Sequence, residues 1–141
     1  MSEQANSPAY SGGFLYSPRR KAVLLHKRDG NTRFNPNKWA FFGGLAEGTE
    51  SPLECFLREV SEELGLQLNA AQVHPLRSYL NSGLGTMRHV FVAFADAAEA
   101  DIRLGEGEAF AWIPMDDVFR FDLTEMTADD LRFFLASGLA S

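Results

Sequence analysis

A chain of 141 residues with 45% hydrophobic content is long enough for one domain with a real core. Its net charge of −6 argues against non-specific nucleic-acid binding, which needs a basic stripe. The single cysteine, Cys55, excludes an internal disulfide and a cysteine-based zinc site, and no apolar run is long enough to span a membrane.

Residues 1–9 read as a disordered tail without a basic or apolar leader, which makes a cytoplasmic protein the default expectation, and 10–141 read as a single domain. Phe14-Leu15-Tyr16 and Ala22 to His26 have strand character, with Ser17-Pro18-Arg19-Arg20 turning between them. Residues 28–38 form a polar loop, and Trp39-Ala40-Phe41-Phe42 is a short strand that delivers Gly43-Gly44.

A helix follows. Ser51-Pro52-Leu53-Glu54 has the form of a capping box, with Ser51 as N-cap, Pro52 at the first helical position and Glu54 reaching back. Gly65 stops the helix where a left-handed residue is wanted. Leu53, Leu57, Val60 and Leu64 recur at helical spacing as an apolar face. Glu59, Glu62 and Glu63 stand at i, i+3 and i+4 on the side roughly opposite Leu57. Like charges so placed repel unless something cancels them. Hard oxygen donors at one point suit Mg²⁺ or Mn²⁺, and the glycines leave backbone open to a metal or phosphate. Cys55, one turn before Glu59, reads as a small residue filling a tight contact.

Beyond the helix, Val73 to Leu80 and Arg88 to Ala95 are strand-like around the turn Asn81 to Thr86, and Glu108 to Ile113 is a further strand. Thr127 to Ser137 reads as an amphipathic helix with Leu131, Phe134 and Leu135 inward. Strands before and after a central helix, then a terminal helix, suggest an α/β fold with a mixed sheet covered on both faces.

The segment 44–66 carries a sharper signal. Gly44, Glu50, Arg58-Glu59, Val60, Glu62-Glu63, Gly65 and Leu66 meet every fixed position of the Nudix box. Seven fixed residue types, each used at roughly one in fifteen, coincide about once in 10^8 start positions. The chain resembles the Nudix hydrolase family. Trp39 to Gly44 is similar to the Trp-x-x-Pro-Gly-Gly that precedes the box in that family, with Phe42 where proline is common.

The resemblance implies an α/β/α sandwich with the box as loop-helix-loop. It implies a Mg²⁺-dependent pyrophosphohydrolase, with Mn²⁺ able to substitute, acting on a nucleoside diphosphate linked to another moiety, triphosphates included. The small-molecule partner is then a nucleotide, with no nucleic acid or membrane, and the protein is a monomer or homodimer. The alternative is a nucleotide-binding regulatory module on the same fold. By the same resemblance Glu59, Glu62, Glu63 and the Gly43 carbonyl are metal ligands, Arg58 orients a box glutamate, and Gly44, Glu50 and Gly65 support the motif. Glu106, six residues before Trp112, is a further ligand or the base; Glu59 is the other candidate base, and Glu108 competes with Glu106. For phosphates the basic candidates are Arg28, Arg33, Lys38, Arg77 and Arg88, and for stacking on a base Phe34, Tyr79, Phe91 and Phe110.

Overall fold

The computed structural model describes residues 8–28, 30–31, 37–105 and 109–140. Glu106, Glu108, Arg33, Phe34 and the first seven residues of the expected tail lie outside them. The described elements run β1 (Tyr10–Ser17), β2 (Ala22–Lys27), β3 (Trp39–Ala40), β4 (Phe42–Leu45), α1 (Pro52–Leu64), β5 (Val73–Asn81), β6 (Thr86–Phe94), β7 (Ala109–Pro114) and α2 (Glu125–Ser137). No described helix is long and apolar enough to cross a membrane.

Strand β1 organises the sheet. One edge pairs in parallel with β6, Tyr10 opposite Arg88 through Tyr16 opposite Phe94. Its other edge is shared: the first half pairs antiparallel with β4, Gly12 opposite Gly43, and the second half with β2, Leu15 opposite Leu24. Strand β2 continues along β3 on that same side and along β7 on its far side. The sheet therefore splits where β2/β3 and β4 part company, and the split opens beside the two glycines. Trp39 to Phe42, read from sequence as one strand, is broken at Phe41 for this reason: Trp39-Ala40 pairs with β2 and Phe42 onward with β1.

Alternation along the strands builds two cores. Phe14, Tyr16, Val23, Leu25, Val90 and Val92 face α2, which contributes Leu131 and Phe134. Leu15, Leu24, Phe42, Phe91 and Ala93 face α1, which contributes Phe56, Val60 and Leu64. Helices on both faces of a mixed sheet give the expected α/β/α sandwich.

Two helix expectations need correction. The stripe of α2 that faces the sheet is Thr127, Asp130, Leu131 and Phe134; Leu135 is 44% exposed, being rotated about 100° past Phe134. On α1 the buried centre is Phe56, Val60 and Leu64, while Leu53 and Leu57 pack at its margin. The caps hold as read. Ser51 Oγ accepts from Glu54 N–H at 3.1 Å, Ser51 N–H donates to the Glu54 carboxylate at 2.8 Å, and Gly65 closes the helix at φ 68°.

Candidate active site

Capping fixes the start of α1, and the helical repeat then sets where its charged residues point. Glu59 and Glu63, one turn apart, look into a cleft of about 750 Å³ at the split in the sheet. Glu62 faces outward with its side chain 58% exposed. Among the described residues the three carboxylates do not converge on one point. Glu59 and Glu62 are drawn to one shared donor and Glu63 to another.

Arg58 is the main one. Its Nε donates to Glu50 Oε2 at 2.6 Å and an Nη to Glu50 Oε1 at 3.1 Å, a bidentate pair. The same guanidinium donates to Glu59 and Glu62, both at 3.2 Å, and to the Leu45 carbonyl at 3.2 Å. Glu47 lies 3.6 Å away. One cation is thus shared among four carboxylates. The Arg58 fork, with help from the Glu47 amide, holds the Glu50 carboxyl below the usual carboxylate range, and its acid partners push Arg58 above its ordinary value.

Glu63 is bound differently: it is 7% exposed and accepts the Gly43 N–H at 3.1 Å. The glycines are sterically required here. A Cβ on Gly44 would run into the Glu59 carboxylate, and one on Gly43 into the backbone of Ser11 and Gly12 and the Tyr10 hydroxyl. Cys55 is fully buried, its thiol donating to the Gly44 carbonyl at 3.6 Å; burial pushes its pKa up, so it packs rather than reacts.

The donor set fits a divalent cation. Glu59 and Glu63 offer hard oxygens on one wall, backbone reaches Glu59 across Gly44, and the buried Cys55 sulfur, engaged by the Gly44 carbonyl and Arg58, does not line the cleft. The carboxylates outnumber Arg58, so net negative charge remains to be balanced.

The opposite wall was not legible from the motif. Tyr10 lies over Gly12 and Gly43, and its hydroxyl is held protonated, pushed up to about 12 by burial against the opposing pull of Arg88. Arg88 stacks on the Tyr10 ring at 4.8 Å and donates through Nε to Asp130 Oδ2 at 3.0 Å, with an Nη in ion-pair contact with the same oxygen at 2.9 Å. Asp130 is fully buried; its Oδ1 accepts from Arg77 at 2.7 and 3.0 Å and from Tyr79 at 2.9 Å. A carboxylate on the core stripe of a helix was the available signal, because such a group must be paired.

Of the basic candidates, Arg28 and Arg88 line the cleft. Arg77 is tied to Asp129 and Asp130, and Lys38 to Asp122 at 3.1 Å. Of the stacking candidates, Phe91 is core, Phe110 packs against the same core, and Tyr79 serves Asp130. The aromatic walls of the cleft are Tyr10 and Phe41 instead.

His26, read only as a strand residue, is buried on the cleft floor and stacked on Phe42 at 4.9 Å. Its Nε2 lies 3.0 Å from the Phe41 carbonyl, which accepts, so Nε2 carries the proton. Burial lowers its pKa from 6.5 to about 4. The unfolded chain therefore binds a proton between about pH 6.5 and 4 that the folded chain refuses. Stability should be fully present above 6.5 and fall as pH drops through this window, by roughly 3 kcal/mol in all, with a lesser contribution of the same sign from His89. Denaturant melts across pH 4–7 check this, and His26→Gln, which keeps a donor for Phe41, should flatten the slope.

The NUDIX domain family model matches residues 8–136. The nucleoside triphosphatase NudI of Escherichia coli O81 (strain ED1a) is 28% identical over 121 residues, covering 79% of this chain and 86% of that protein. A MutT structure from work on Aliivibrio salmonicida and Vibrio cholerae superposes with a TM-score of 0.76 at 17% identity, over 92% of this chain and 98% of that one. The NUDIX domain of Shewanella oneidensis NrtR, complexed with ADP ribose, has the same TM-score at 15% identity, over 97% and 93%. With the family model covering nearly all of the folded chain and the same sandwich in both solved structures, this chain belongs to the NUDIX domain family and is a hydrolase acting on phosphorus anhydrides.

Proposed function

We propose that the protein is a Mg²⁺-dependent pyrophosphohydrolase that cleaves the diphosphate of a nucleoside diphosphate linked to another moiety, with nucleoside triphosphates as the leading substrates. The observation that carries this reading is the pair Glu59 and Glu63 on one turn of α1, facing the cleft beside Gly43 and Gly44. The triphosphatase relatives support the choice of substrate.

In this reading Glu59 and Glu63, with the Gly43 carbonyl, would hold the metal, and Glu62 would join them only by turning in from its outward position beside Arg58. Bound there, Mg²⁺ would supply charge neutralisation at the diphosphate and a lowered pKa for water. Arg58 fixes the Glu59 carboxylate through a charge-assisted bond and is itself anchored by Glu50. Glu59 or Glu106 takes the proton as water attacks phosphorus in line. Glu106, with Glu108 as its competitor, enters as a ligand or base on sequence grounds alone. Gly44 keeps the backbone close to Glu59, and Gly65 ends the helix one turn after Glu62.

A nucleotide panel with Mg²⁺, scored for released phosphate, pyrophosphate and nucleoside monophosphate, tests this. EDTA should abolish turnover; activity that survives thorough chelation contradicts the mechanism. Tight binding with no turnover on any nucleotide would favour the regulatory module.

The pH profile is a separate check. His26 is already neutral above about pH 4, so it adds no titration near neutrality. Ligands and water must be deprotonated, and activity should climb from pH 6 towards 9. A sharp optimum at pH 5 to 6 would point to another acid–base group.

A further inference from the structure

We propose that Arg88 reads the nucleobase, selecting bases that carry two adjacent hydrogen-bond acceptors, guanine or cytosine, over adenine and thymine or uracil. This rests on the nucleotide reading of the cleft and deepens it.

The guanidinium has two donor edges. The side edge, Nε and one Nη, is spent on Asp130 Oδ2. Among the described residues, no protein acceptor engages the end edge, where one N–H from each Nη points the same way. Arg88 nevertheless lines the cleft while its side chain is nine-tenths buried. Asp130, the Tyr10 ring and the Phe41 ring at 5.8 Å hold the plane still, so the fork is presented at little entropic cost.

Charge decides what the fork meets. Arg77 and Arg88 are balanced by Asp129 and Asp130, so the quartet is formally neutral. A neutral cluster suits the dipolar edge of a base better than a polyanion. The surroundings agree: Phe41, Met87 and Met126 give apolar walls, and Asn81 and Thr127 add neutral polar groups. Tyr10 separates Arg88 from Gly43 and Glu63, which stand at the phosphate end.

A paired donor fork demands paired acceptors. Guanine offers O6 with N7, the pairing arginine favours in the major groove. Cytosine offers N3 with O2. Every adjacent pair on adenine, thymine or uracil alternates donor with acceptor, so one N–H of the fork would face another donor or go unpaired.

The test compares kcat/KM for dGTP, dCTP, dATP and dTTP, and for 7-deaza-dGTP, which lacks only the N7 acceptor. We expect dGTP and dCTP to lead by about 10- to 100-fold, and 7-deaza-dGTP to lose about tenfold against dGTP on the wild type. Arg88→Lys keeps the charge and loses the fork, so the ratio of dGTP to dATP should collapse towards one, mainly through KM. A merely structural role would lower all four nucleotides alike. Inhibition by inorganic tripolyphosphate should be as strong in Arg88→Lys as in the wild type; its loss would assign Arg88 to phosphates and overturn the proposal. So would equal use of all four bases, or no effect of 7-deaza substitution. If the wild type hydrolyses no nucleotide, the function reading fails separately. Calorimetric titration with GMP, CMP, AMP and UMP in EDTA then still decides: GMP and CMP should bind at least tenfold tighter, and equal binding overturns the base-reading role.

Discussion

Glu63→Gln is expected to lower kcat by about 10²-fold or more while leaving the melting temperature within a few degrees. Glu63 is buried at the Gly43 amide, where the glutamine carbonyl oxygen can accept the same N–H bond at 3.1 Å, so the shape survives and only the charge is lost. Glu59→Gln should cost a comparable factor, because Glu59 shares the cleft wall. Glu62→Gln should be milder, since Glu62 is mostly exposed and turned towards Arg58. Steady-state kinetics on one good substrate, with circular dichroism for the fold, check the ranking. Retention of more than about a tenth of wild-type activity in Glu63→Gln would remove Glu63 from the site, and a dominant effect at Glu62 would move the metal outward.

Gly13→Ala is expected to be the most damaging small substitution for stability. Gly13 pairs with Phe42 on one side and Phe91 on the other, in the middle of β1. A Cβ there would run into the Phe91 carbonyl oxygen, a backbone atom that moves only if β6 moves. The cost should reach about 3 kcal/mol, the upper end for overpacking, or roughly 10 °C in melting temperature. Gly83→Ala is the control: its nearest neighbour is the Asn81 side-chain oxygen at 3.5 Å, so the change should stay within about 0.5 kcal/mol. Equal effects at the two positions would show that the contact with the Phe91 carbonyl does not set the cost.

How much was legible varied with the range of the interaction. The caps of α1 and the alternation of β1, β2 and β6 are local, and residues a few positions apart announce them. Leu135 is misplaced because Phe133 and Leu135 are apolar yet exposed on α2, which blurs the stripe that Thr127, Asp130, Leu131 and Phe134 actually form. The box motif brought Arg58 and the glutamates to notice without saying that Glu62 points away from its neighbours. Arg77, Arg88, Asp130 and Tyr10 come from β5, β6, α2 and β1, and only the sheet order brings them together. No spacing along the chain encodes that meeting.

The parallel pairing of β1 with β6 also sets an order of assembly. During synthesis β1 emerges well before the strand that closes one whole edge of it, Tyr10 beside Arg88, which follows α1 and β5. Until β6 arrives, Phe14 and Tyr16 have no parallel neighbour, and the nascent chain carries an open, apolar strand edge of the kind that recruits chaperones or other chains. Such distant closure makes folding slow for a protein of this size, and expression at lower temperature or with added chaperone should raise the soluble yield.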